Sequence, residues 1–183
     1  SVEDVDVGLL MGSTLFGKLS MYSQLEGKGR RKGKIDTRMS SHISSVGIKG
    51  YSYSDIDVNT TLNGDTFASS IEINDPNIKA TASDTLVRHS GGRYENTLNM
   101  YLDRGHLYNL GIIKDSLANL RATIESKITG HTVDDAEGFF TLSEVSYNAG
   151  SKYYYISRVE ALTAMETDST RALSIIADDI FDA

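Results

Sequence analysis

The chain has no cysteine and no tryptophan, one proline (Pro76), and no apolar run long enough to cross a bilayer as a helix. The missing cysteines exclude disulfides, zinc–thiolate centres and thiol nucleophiles together. They do not decide the compartment, because many bacterial envelope proteins also lack cysteine. The amino end, Ser1-Val2-Glu3-Asp4-Val5-Asp6, lacks the basic-then-apolar pattern of a targeting signal. The expectation is a soluble piece of something longer, with any anchor or address outside it. A sustained basic surface is missing too. The net charge is −7 over 183 residues. Residues 1–130 balance at fifteen basic and fifteen acidic side chains, whereas residues 131–183 carry three basic and ten acidic ones. Phosphate affinity needs clustered cations, so no nucleic-acid partner is expected.

What is present is alternation. Leu15, Gly17, Leu19, Met21, Ser23 and Leu25 share one parity against Lys18, Ser20, Tyr22 and Gln24, the period of a half-buried strand. Ile35 to Ser45 repeats it more weakly, with Ile35, Met39 and Ile43 in phase. Ile56, Val58, Thr60 and Leu62 precede Asn63-Gly64-Asp65, and Phe67, Ser69, Ile71 and Ile73 follow. Asn-Gly between alternating runs predicts a hairpin, because both residues tolerate positive φ. Asp75-Pro76-Asn77 ends its second strand. Further strands are predicted over Tyr94–Asp103, Ser116–Thr129, Phe139–Tyr147, Tyr153–Glu166 and Arg171–Ala177, with turns at Ser90-Gly91-Gly92, Asn148-Ala149-Gly150 and Asp168-Ser169-Thr170. A strand end leading into a helical turn is expected over Asp4–Leu10, and a second turn over His106–Gly111. The result is an all-β chain of roughly ten short strands with a few short helical turns.

Two stretches follow one script. Leu25-Glu26-Gly27, Tyr51–Val58 and Ser70–Asp75 are echoed by Ile128-Thr129-Gly130, Tyr154–Ala161 and Ser174–Asp179, at offsets of 103, 103 and 104. A strand-built period of this length implies growth along one axis, within one continuous sheet. Residues 1–110 are taken as a first β repeat and 111–183 as a second, incomplete one.

The local chemistry motifs fail on spacing. Gly27-Lys28-Gly29-Arg30-Arg31-Lys32-Gly33-Lys34 has five residues between the outer glycines, Ile35 after Lys34, and a strand where a phosphate site needs a helix. It reads as an exposed hairpin loop, with anionic lipid headgroups as a minor partner. Asp55-Ile56-Asp57-Val58-Asn59 opens like a calcium loop, but Thr60 and Thr66 stand where Gly and Glu are required. His42, His89, His106 and His131 show no metal-type pairing, and no Gly-x-Ser-x-Gly elbow is present. Asp134-Asp135 and Asp178-Asp179 fall beside turn-like segments and are expected to be solvated. Asn59-Thr60-Thr61 fits a glycosylation triplet of a kind common by chance. Tyr51, Tyr53, Tyr153, Tyr154 and Tyr155 recur in both repeats, and cross-strand packing is favoured over ligand contact.

Several motifs, in order, resemble one family. Gly50-Tyr51-Ser52-Tyr53-Ser54-Asp55-Ile56-Asp57 is similar to a GYxYxxIxI strand. Leu62-Asn63-Gly64-Asp65-Thr66-Phe67 follows as a hairpin, and Ile73-Asn74-Asp75-Pro76-Asn77-Ile78 as a DxNI ending. Arg104–Ile112 and Ser126–Gly130 leading to Asp134–Gly138 add two matches, with Gly105-His106 replacing the usual Ala-Asp. The likeness is to the TamB family of the AsmA-like clan, the inner-membrane-anchored subunit of the translocation and assembly module, in its Bacteroides-type versions. It implies an elongated, folded antiparallel or mixed sheet, β-taco-like, with an open apolar groove running through the periplasm. It also implies a non-enzymatic role without cofactor, in phospholipid transport between the membranes and outer-membrane biogenesis. The implied partners are acyl chains and an outer-membrane barrel outside this segment.

The candidate groove residues are Leu19, Met21, Ile56, Val58, Leu62, Ile71, Ile73, Leu98, Met100, Leu102, Ile124, Ile128, Val145, Val159 and Ile175. A surface adhesin or carbohydrate-binding β-protein is the alternative, with the paired tyrosines stacking on sugars. A hydrolase on a β-helix would need a carboxylate cluster that the sequence does not clearly show. Raw strand edges are expected to pair with a neighbouring copy.

Overall fold

The computed structural model describes residues 1–29, 35–132, 135–150, 152–167 and 170–182. Eleven strands form one sheet in which every strand pairs antiparallel with its sequence neighbours. They are β1 (Val2–Asp6), β2 (Phe16–Gly29), β3 (Ile35–Ile48), β4 (Tyr51–Asn63), β5 (Thr66–Asp75), β6 (Ile78–Arg88), β7 (Tyr94–His106), β8 (Asn119–Gly130), β9 (Glu137–Ala149), β10 (Lys152–Thr167) and β11 (Thr170–Asp182). A single helix, α1 (Val7–Met11), joins β1 to β2. Its first turn is capped by Asp6, whose Oδ1 accepts from the Leu9 N–H at 2.8 Å. The expected all-β class is thus an open, wholly antiparallel sheet, with no parallel pair among the described strands.

Two details depart from the sequence reading. The strands are long, ten to sixteen residues apart from β1, because alternation persists through weakly apolar stretches. The strand β6 falls in a stretch with no predicted strand. Its inward positions include Ala80, Ala82 and Asp84, which give almost no hydrophobic period.

The turns explain the register. Lys49 and Gly50 both have positive φ between the paired Ile48 and Tyr51, the geometry that suits a tight hairpin. At the predicted Asn-Gly hairpin, Asn63 pairs with Thr66, so the turn is Gly64-Asp65, one residue later than expected. Gly64 takes the positive φ at the first central position, and Asn63 is left free to continue the ladder. The basic loop expected at Gly27–Lys34 lies mostly in residues 30–34, outside the described residues. The Asp168-Ser169 turn lies outside them too.

The ladder skips one residue on each strand at Ser44 and Asp55, and again at Glu144 and Ser157. Asp55 and Glu144 both have φ of 51°. The two irregularities sit on β3–β4 and β9–β10, six strands apart. The echoed blocks fall six strands apart as well, on β2 and β8, β4 and β10, and β5 and β11.

Among the described residues, no second layer covers the sheet. Extensive packing joins only elements adjacent in sequence. The chain exposes 12062 Å², against about 8,700 Å² for a compact protein of 20.0 kDa. The surplus, about 3,400 Å², has the scale of a face that an opposing layer would otherwise bury.

Candidate functional site

Residues directly opposed across a ladder share a face of the sheet. Tracing the register gives four rows on one face. The first runs Met21, Ile43, Ile56, Ile73, Ala80, Leu102, Ala122, and beyond the Glu144 bulge Val145 and Ile156. The second runs Ser23, Ser41, Val58, Ile71, Ala82, Met100, Ile124, Leu142, Val159 and Ala177. The third runs Leu25, Met39, Thr60, Ser69, Asp84, Leu98, Ser126, Phe140, Ala161 and Ile175. The fourth includes Leu62, Phe67, Leu86, Asn96, Ile128, Thr163 and Leu173.

The register thus places all fifteen candidate groove residues on this one face, Leu19 just beyond the first row and paired to Val46. The candidate list left out several large residues of these rows, among them Leu25, Met39, Ile43, Phe67, Phe140, Leu142 and Ile156, and the whole inward contribution of β6. The β9 bulge caused part of this: the parity changes across Glu144, so counting back by twos from Val145 passes over Leu142 and Phe140.

The band is not purely apolar. Ser23 and Ser41 satisfy one another by a hydroxyl hydrogen bond of 2.8 Å, and Ser41 is buried. Asn96 Nδ2 donates to Asp84 at 2.6 Å.

The opposite face carries the charge. One of its rows runs Tyr22, His42, Asp57, Glu72, Thr81, Tyr101, Thr123, Ser143, Arg158 and Asp178. Arg121 donates to Asp103 at 2.8 Å and to the Tyr101 hydroxyl at 3.2 Å, and these two partners raise its pKa. Lys127 lies 3.0 Å from Glu95 and lowers that carboxyl's pKa. Asp178 lies within β11 and not beside a turn, a departure from the sequence reading that leaves it solvated. Asp135 accepts from the backbone N–H of Thr132 and from the His131 ring and backbone, which hold its carboxyl far below the usual range. Asp134 lies outside the described residues.

His42, Asp55 and Asp57 bring their ligand atoms within 4.8 Å of one another, the one such group among the described residues. A direct His42–Asp57 contact of 2.9 Å, with both side chains about half exposed, accounts for the approach without an ion.

One end of the sheet is tied by a polar knot. Asp75 is 1% exposed. It accepts from the Tyr51 hydroxyl at 2.5 Å, the Ser54 N–H at 2.9 Å, the Ser54 hydroxyl at 3.0 Å and the Asn77 N–H at 2.8 Å. Asn77 donates to the Tyr51 oxygen at 2.9 Å, and Asn109 donates to Asn77 at 2.7 Å. Burial alone would push the Asp75 carboxyl up; the Tyr51, Asn77 and Ser54 donors outweigh it and hold the group below its ordinary value. Burial, and then the bond to Asp75, raise the Tyr51 phenol. Three motif segments separated in sequence, around Tyr51, Asp75 and Asn109, therefore meet at one place. The expected cross-strand packing holds for one of the tyrosines: Tyr154 pairs with Tyr147 across strands, with centroids 6.1 Å apart, whereas Tyr51 meets Tyr53 edge-on at 4.7 Å along one strand.

One surface depression falls at the margin of the apolar face, with Leu62 of the fourth row in its wall. It lies where β2, β3 and β4 approach their hairpin ends, lined by Lys28, Asp36, Arg38 and Asn63 among others, and its mixed charge offers no single ligand chemistry.

No protein-family model, no curated protein and no solved structure matches this chain.

Proposed function

We propose that the chain is a length of wall in a non-enzymatic lipid conduit, in which the apolar face shields acyl chains from water. The observation that carries this is the uncovered apolar face running across all the long strands, backed by a charged one. The dimensions suit the cargo. From the Ile73 row to the Phe67 row is six residues, about 20 Å at strand rise, and one leaflet of hydrocarbon is about 15 Å deep. Each methylene shielded is worth about 0.8 kcal/mol, so binding needs no directional chemistry. The TamB-like motif order supports a periplasmic setting, as part of an inner-membrane-anchored protein. Phospholipid would move there between the two membranes, with an outer-membrane barrel outside this segment as partner.

Site-specific photocrosslinkers at Val58 and Asp57, neighbours on opposite faces, test the assignment in cells. Lipid adducts are expected at Val58; adducts at Asp57 and none at Val58 would overturn it. The sugar-binding alternative has less support, since the Tyr51 hydroxyl is engaged by Asp75 and Asn77. Glycan binding lost on Tyr154→Ala would revive it.

A further inference from the structure

We propose that the apolar face holds a headgroup-selecting notch at Asp84, which takes a phospholipid bearing a primary ammonium group. The inference rests on the conduit reading and adds selectivity to it. Across the four rows, Asp84 is the single charged side chain among the described residues. Asp75, also on this face, is at the end of the sheet, and its oxygens already accept four hydrogen bonds. Asp84 sits mid-strand, between Ala82 and Leu86 on its own face.

Its ladder neighbours make a polar break rather than an isolated charge. Asp84 is opposite Ser69, and Ser69 is opposite Thr60, so two hydroxyls and a carboxylate stand in line about 4.8 Å apart. Asn96, on the strand to the other side, donates to one oxygen of Asp84 and leaves the second without a partner among the described bonds. The Ile71 and Ala82 row lies on one side of the break, and Leu62, Phe67 and Leu86 lie on the other.

An apolar surface that had only to shield acyl chains would gain nothing from a carboxylate here, since such a group loses hydration when chains cover it. A zwitterionic headgroup removes that cost. Its ammonium meets the free Asp84 oxygen, and its phosphate accepts from the Ser69 and Thr60 hydroxyls. An anionic headgroup without an amine would be repelled by the same carboxylate. Its nearest cation on this face, Arg88, is a full four residues further along β6.

The test uses the purified chain, exchanged against vesicles holding equal amounts of phosphatidylethanolamine and phosphatidylglycerol with identical acyl chains. Bound lipid is then quantified by mass spectrometry. The unmodified chain is expected to enrich the ethanolamine lipid about fivefold, the scale of one solvent-accessible charge contact. Asp84→Asn keeps the shape and the Asn96 bond. Ser69→Lys leaves Asp84 in place but neutralises its field. Both are expected to abolish the enrichment while total lipid per chain is unchanged. Lipid bound without headgroup preference by the unmodified chain would overturn the notch and leave the conduit standing. Enrichment that survives in either folded variant would overturn the role of Asp84. No lipid bound at all would overturn the conduit reading and the notch with it.

Discussion

Asp75 illustrates how one side chain can fix the geometry of three segments. Its oxygens satisfy four donors from β4 and the β5–β6 turn, and Asn77 extends the set to the β7–β8 connection. Removing the Tyr51 hydroxyl leaves a buried carboxylate short of a donor. Tyr51→Phe is therefore expected to cost about 1.5–3 kcal/mol in urea unfolding. The same group makes stability depend on pH. Its carboxyl has a lower pKa folded than its ordinary value of 3.8, so the folded form binds the proton less readily than the unfolded one. The stabilisation is present above the unfolded value and is lost as pH falls through the folded value. Stability of the unmodified chain is expected to drop between about pH 5 and pH 2, and the drop to be shallower in Asp75→Asn. A pH profile of the urea midpoint for both proteins checks this.

At the scale of elements, the strongest local patterns were readable and the weaker ones were not. Ile56 through Ile73 announces its hairpin because large apolar residues alternate on both sides of Gly64. Along β6 the inward positions are small or polar, so only pairing with β5 and β7 makes it a strand. Register was likewise out of reach, since a bulge depends on both partners and Asp55 reads locally as an ordinary polar residue. The groove candidates share one face because alternation, read within each strand, reports the same parity that the ladder carries from strand to strand. Tyr51 and Asp75 were recognisable as motif positions, yet the bond between them spans 24 residues and has no local pattern. Gly138 shows the same limit: a Cβ there would lie 1.9 Å from the Lys127 carbonyl oxygen, at φ of 147°. Gly138→Ala is expected to separate β8 from β9 at that point and to lower the thermal midpoint by several degrees, read by circular dichroism.

The edges of the sheet are unequal. Strand β1 is five residues long, irregular at Asp4, and acidic. Strand β11 is thirteen residues long, and its Leu173 and Ile175 are 65% and 67% exposed. Pairing between copies is accordingly expected through β11. Light scattering should show concentration-dependent association, reduced by Ile175→Lys. Strictly monomeric behaviour of the unmodified chain at high concentration would count against it.

For the whole molecule, the decisive quantity is surface left uncovered. A sheet this large with one apolar face exposed is costly in water unless something covers that face. Ile71→Asp, at the centre of the second row, is expected to reduce lipid recovered with the chain while leaving the β-sheet circular dichroism unchanged, since the side chain supports no second layer. Loss of sheet signal would show that the residue holds the fold and not the cargo.

The strictly sequential strand order has a further consequence, for how such a molecule can change length. Because each described strand is hydrogen-bonded only to those before and after it, the chain can zip up from any turn, and no strand waits for a distant partner to arrive. A hairpin inserted at a turn adds two strands, widens the sheet by about 10 Å, and returns the chain to the side it left. Inward and outward parity downstream are preserved. Reach can therefore be adjusted in whole hairpins, without rethreading the rest.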